Sequence, residues 1–140
     1  MDAFLPSVER LRKWKDRKKL IAFPLFPGYL FVHISRDSQS MLNVLKVRGV
    51  VRLICSIPGE PALIPEEQII SLKRLVENRE ALDPYPYLGE GQMVRIVKGP
   101  LTGVEGILVE KLDKHLLVLS VDVLRQGVAL TINASDVERI

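Results

Sequence analysis

Seven cations crowd one short stretch of this chain: Arg10, Arg12, Lys13, Lys15, Arg17, Lys18 and Lys19 stand against only Glu9 and Asp16. The segment carries +5 in a chain whose formal net charge is +3, so the remaining residues sum to −2. Clustered ammonium and guanidinium groups attract phosphates, and Trp14 in their midst offers a ring on which a base can stack. Arg12, Lys13, Trp14, Lys15, Arg17, Lys18 and Lys19 therefore suit single-stranded nucleic acid, in competition with the plainer reading of a solvated hairpin or loop.

Covalent and metal chemistry find no comparable support. His33 and His115 are isolated, Cys55 has no nearby His, and no set of ligands has metal-site spacing. Gly99 to Gly103 lacks the Gly-Lys-Ser/Thr ending of a phosphate loop, and Glu66-Glu67 has a simpler use at a helix start. The expectation is a protein without catalysis, cofactor or metal. The lone Cys55 lies in the apolar run Leu53-Ile54-Cys55, which predicts a buried small hydrophobe and fits a reducing compartment. Met1 to Pro6 lacks the basic start and apolar segment of a signal peptide, and no apolar run is long enough to span a bilayer, so a soluble cytoplasmic protein is expected.

The elements that must carry the cations divide at Leu82-Asp83-Pro84-Tyr85-Pro86-Tyr87, where alternating prolines favour an extended connector. This predicts a first domain over residues 1–82, a linker over 83–88 and a second domain over 89–140. In the first, a Pro-Gly bend precedes the strand formers Leu30 to Ile34, a predicted buried central strand. Asp37 or Ser38 caps a helix with Met41, Leu42 and Leu45 on one face, and Gly49 stops it before a strand over Val50 to Ile54. After the turn Ile57 to Pro61, Pro65-Glu66-Glu67 opens a second helix. Its Ile69, Leu72, Leu75 and Val76 should lie on a sheet, with Lys73, Arg74, Glu77 and Arg79 outward.

The second domain shows strands at Met93 to Val97, Gly106 to Glu110, Leu116 to Val121 and Val128 to Asn133, with a short fifth near Val137 to Ile140. So small a piece makes a core most readily by curling its sheet into a barrel. Gly106 within a strand predicts a bulge or a close backbone approach. From Gly89 onward six cations face seven carboxylates, which argues for a protein partner over nucleic acid.

Leu25-Phe26-Pro27-Gly28-Tyr29-Leu30-Phe31-Val32, with Arg17-Lys18-Lys19 before it, resembles the signature of the NusG N-terminal (NGN) domain. Gly91-Gln92-Met93-Val94-Arg95-Ile96, followed by Gly99-Pro100-Leu101-Thr102-Gly103-Val104-Glu105-Gly106, is similar to the KOW motif. In this order the two resemble the NusG family of transcription elongation and antitermination factors over essentially the whole chain, and the wording is closest to specialised paralogues acting at selected operons, several of them for surface polysaccharides. The resemblance implies an α+β protein: an antiparallel NGN sheet with packed helices, then an SH3-like KOW barrel to which Gly99, Pro100 and Gly106 give shape. Family members begin with a strand and a helix before the point at which this chain enters the pattern, at Ala3-Phe4-Leu5-Pro6, which implies a truncated NGN domain.

For the sites, the resemblance implies that Phe26 and Tyr29 meet the clamp helices of the RNA polymerase largest subunit. Non-template DNA or nascent RNA becomes the target of the cationic segment. Val123, Leu124 and Gln126 fall where the family's barrel meets a ribosomal protein or a termination factor, with Leu124 in place of the usual aromatic and Gln126 where general members tend to have Arg. The alternative function is a ribosome-associated RNA-binding KOW protein.

Overall fold

The computed structural model describes residues 2–78 and 81–140, apart from the Trp14 side chain; Arg79, expected on the outer face of the second helix, lies outside the described residues. In chain order the elements are β1 (Asp2–Phe4), β2 (Ser7–Trp14), β3 (Arg17–Pro24), β4 (Phe31–His33), α1 (Ser38–Leu45), β5 (Cys55–Ile57) and β6 (Glu60–Pro61). They continue with α2 (Glu66–Glu77), β7 (Asp83–Pro86), β8 (Met93–Ile96), β9 (Glu105–Glu110), β10 (His115–Val121), β11 (Gln126–Ile132) and β12 (Val137–Arg139). Contacts gather the chain into two compact units, one of Met1–Leu5 with Gly28–Leu63 and the other of Pro6–Pro27 with Ile64–Ile140.

In the first unit β4 pairs antiparallel with β1, setting Phe4 opposite Phe31 with ring centroids 6.1 Å apart. The strand expected at Leu30 to Ile34 is thus shorter and belongs to a two-stranded ladder, not to the centre of a larger sheet. Helix α1 starts where the Asp37 carboxylate accepts from the Ser40 amide at 2.8 Å and from its hydroxyl at 3.0 Å. Those bonds stabilise the charged form and hold Asp37 below the usual carboxylate range. The helix buries Val44 and leaves Leu42 and Leu45 exposed, so its inward face is rotated from the expected one. Gly49, at φ +96, takes a left-handed conformation that suits the expected stop. No strand forms over residues 50–54; pairing begins at Cys55 with the small β5–β6 ladder, and Cys55 is exposed, not buried.

In the second unit, α2 follows Pro65 and places Glu66 and Glu67 at its positive end. Leu72 and Leu75, three apart on one face, are fully buried. Six strands form one antiparallel sheet in the order β12-β8-β9-β10-β11-β7. Residues Leu116 to Leu119 of β10 and Gly127 to Leu130 of β11 are buried without interruption, so both faces of this sheet are covered. Leu117 opposite Leu130 and Leu119 opposite Val128 share one face. Leu116, Val118 and Ala129 share the other, under Tyr85, Leu88 and Val109.

That second face explains the fate of the expected linker. Asp83–Pro86 is extended, as its prolines require, but it pairs with β11 and supplies the edge of the sheet. Proline lacks an N–H for a ladder and is tolerated on an edge strand. The boundary expected at 83–88 therefore runs through a strand of the sheet, and the β2–β3 hairpin and α2 group with that sheet instead of with residues 28–63.

Gly106 keeps the β8–β9 register continuous, opposite Val94, so it makes no bulge. A Cβ there would stand 2.7 Å from the Val118 carbonyl oxygen and 2.6 Å from Leu117 Cδ2. Backbone cannot yield as a flexible side chain does. Gly106→Ala is expected to destabilise this sheet by about 1–3 kcal/mol, as overpacked cores do. Thermal unfolding measures it, and an unchanged midpoint would show that the approach relaxes at no cost.

Candidate nucleic-acid and protein interfaces

Strands β2 and β3 form a hairpin closed by Lys15 and Asp16, with the register Arg12 to Lys19, Lys13 to Lys18 and Trp14 to Arg17. Directly opposed residues lie on one face of a ribbon, and like charges so placed repel by up to about 1 kcal/mol per pair. Lys15 adds a left-handed φ of 52°, a conformation that costs a non-glycine residue roughly 1–2 kcal/mol. The hairpin tip thus sets its charge against its own stability.

Among the described residues, Arg10 alone of these cations finds a carboxylate: its Nη2 donates to Asp83 Oδ1 at 2.8 Å and to the Leu82 carbonyl at 3.1 Å. This ties the base of the ribbon to β7. Both groups of the ion pair are largely solvated, so it positions more than it stabilises. Among the described residues, no carboxylate lies within ion-pair distance of Arg12, Lys13, Lys15, Arg17, Lys18 or Lys19, and all six are exposed. The hairpin brings all the expected nucleic-acid residues together at one tip; the Trp14 side chain lies outside the described structure.

The residues expected to meet polymerase are not equivalent. Tyr29 is half-buried, while Phe26 is 1% exposed. A closed-in ring offers a partner no surface, so in this structure Phe26 is a core side chain, which corrects the expectation for it.

The residues expected to meet a second protein, Val123, Leu124 and Gln126, are half-buried around a 3-10 turn over Asp122–Leu124. Arg125 ends the turn in the left-handed region at φ 52°. Tyr87 braces it, donating its hydroxyl to Asp122 Oδ1 at 2.7 Å and lying under the Arg125 guanidinium, 4.9 Å from the ring centroid. The hydrogen bond to Asp122 raises the Tyr87 pKa, because it holds the neutral phenol. Neither Tyr87 nor Arg10 stood out in the sequence as a positioning residue, since each acts on a partner more than thirty positions away. Gly99, at φ +87, turns the β8–β9 loop, and the Pro100 carbonyl accepts from Arg74 Nη2 of α2 at 2.8 Å. Among the described residues no group of His, Cys, Asp or Glu is placed to hold a metal, and no helix is long and apolar enough to cross a membrane.

Comparison with known proteins gives this geometry its context. A family model described as transcription termination factor nusG matches residues 1–73. A transcription termination/antitermination protein NusG of Helicobacter pylori is 27% identical over 130 residues, covering 90% of this chain and 72% of the relative. The protein of that name in Escherichia coli is 28% identical over 136 residues, covering 95% of this chain and 74% of the relative. A solved structure described as "Domain interaction in Thermotoga maritima NusG" is similar with a TM-score of 0.51 and 25% identity, over 96% of this chain and 77% of that one.

The burial of Phe26 has a measurable consequence. Phe26→Ala removes a ring from a closed site and is expected to cost about 3–5 kcal/mol of stability. Denaturant unfolding reads this directly; a loss below about 0.5 kcal/mol, the scale of an ordinary surface change, would return Phe26 to the surface.

Proposed function

The chain belongs to the NusG family, and on that premise we propose that this transcription regulator grips the clamp helices of the RNA polymerase largest subunit with its NGN part and a second protein with its KOW part. The observation that carries the polymerase contact is the character of the Gly28–Leu63 segment within the matched residues. It buries Phe31 and Val44 but exposes Leu30, Leu42, Leu45, Val47, Val51, Ile57 and Leu63, with Tyr29 half-buried. Exposed apolar side chains in such number suit a surface completed by another protein.

The cationic hairpin supports contact with nucleic acid in the same complex, non-template DNA or nascent RNA. The turn carrying Val123, Leu124 and Gln126 supports a protein contact for the KOW part, with a ribosomal protein or a termination factor as the class of partner. Such a regulator works in the cytoplasm and promotes elongation past pauses or terminators at selected operons, those for surface polysaccharides among them.

Titration of core RNA polymerase with the full chain tests the first contact. Binding is expected, and Tyr29→Ala should weaken it by about 1–2 kcal/mol if the ring is an interface anchor. Cosedimentation with ribosomal subunits in the absence of polymerase, together with no affinity for polymerase, would favour a ribosome-associated protein instead.

A further inference from the structure

Arg125 is a strained residue on an exposed turn. It closes the 3-10 turn Asp122–Leu124 at φ 52° and ψ 41°, a left-handed conformation that glycine enters freely and arginine does not. Arg125 is exposed, so no buried packing offsets that conformation. What the strained backbone achieves is placement. The Arg125 Cζ lies over the Tyr87 ring, 4.9 Å from its centroid, and the Tyr87 hydroxyl is itself fixed by donation to Asp122 Oδ1 at 2.7 Å. Ring and cation are thereby held at one end of the turn, next in sequence to the half-buried Val123 and Leu124. Among the described residues no carboxylate lies within ion-pair distance of Arg125. Asp122, three positions away, engages Tyr87 instead.

We propose that Arg125 is the specificity-determining contact of this turn, and that it meets a carboxylate which the second protein presents beside an apolar patch covering Val123 and Leu124. This rests on the reading of the turn as a protein contact and names the partner's chemistry. A guanidinium can bind a carboxylate through two parallel N–H donors, a geometry that lysine does not offer. Tyr87 is the positioning residue: an aromatic face holds a cation without neutralising it, and a side chain fixed beforehand loses less freedom on binding. A phosphate chain suits the site less well than a protein carboxylate. Asp122 is exposed in the same turn, and from Gly89 onward six cations face seven carboxylates.

The test titrates the full chain with salt-washed ribosomal subunits and, separately, with a purified transcription termination factor. The native chain is expected to bind one of them. Arg125→Asn removes the cation but keeps a residue that tolerates left-handed backbone, and Arg125→Gly removes the strain as well. Each should weaken that binding about tenfold at low salt, the scale of one hydrogen-bonded charge, with the loss shrinking as salt rises. The melting midpoint should stay unchanged in Arg125→Asn and stay unchanged or rise in Arg125→Gly. Tyr87→Leu should weaken binding about threefold by freeing the guanidinium. Native affinity in Arg125→Asn overturns the proposal, as does a loss that salt does not alter; native affinity in Tyr87→Leu overturns the positioning role. A lowered midpoint in Arg125→Gly would make the arginine a brace of the turn and overturn the proposal too. Those results leave the turn as a protein contact, whereas a native chain that binds neither probe removes that reading and the proposal with it.

Discussion

A β-strand sends successive side chains to opposite faces, and this period of two governs both working parts of the molecule. In β10 and β11 it distributes leucine, valine and alanine to two sides of one sheet, each of which is then covered. In β2 and β3 it distributes cations to two sides of a ribbon, each of which stays in water. The pairing rule is the same; the residues supplied to it decide whether the product is a core or a charged blade.

The two parts are joined through β7. Its prolines confine it to the edge of the sheet, where Tyr85 helps cover the second apolar face, and Tyr87 just beyond it braces the turn that carries Leu124. Asp83, at the start of the strand, holds Arg10 at the root of the cationic hairpin. One short edge strand thus stands between the charged ribbon and the turn, and its contacts fix where each begins. Charge is segregated accordingly: cations crowd the ribbon, while the residues from Gly89 onward are slightly acidic.

The second half of the fold was legible in the sequence because β-branched runs alternate there with Gly and charged turns, and each such run became a strand within a residue or two of its expected bounds. Residues 83–86 were less so: alternating prolines announce an extended backbone but not whether it pairs. In α1 the spacing of Met41, Leu42 and Leu45 competed with Val44 for the inward face, and only packing could choose. Phe26 sits in an apolar signature that reads the same for a core ring and for an interface ring. For the hairpin, the charge run was plain, but its two-faced arrangement depends on a two-residue turn at Lys15-Asp16 that lacks the Asn-Gly or Asp-Gly signal of such turns.

The proposed division of labour between ribbon and turn is tested most directly by site-specific photo-crosslinking in an elongation complex assembled with the full chain. A crosslinker in place of Lys18 is expected to capture DNA, and one in place of Leu124 to capture none. Capture of DNA from Leu124 with none from Lys18 would contradict the assignment of nucleic acid to the hairpin and of protein contact to the turn.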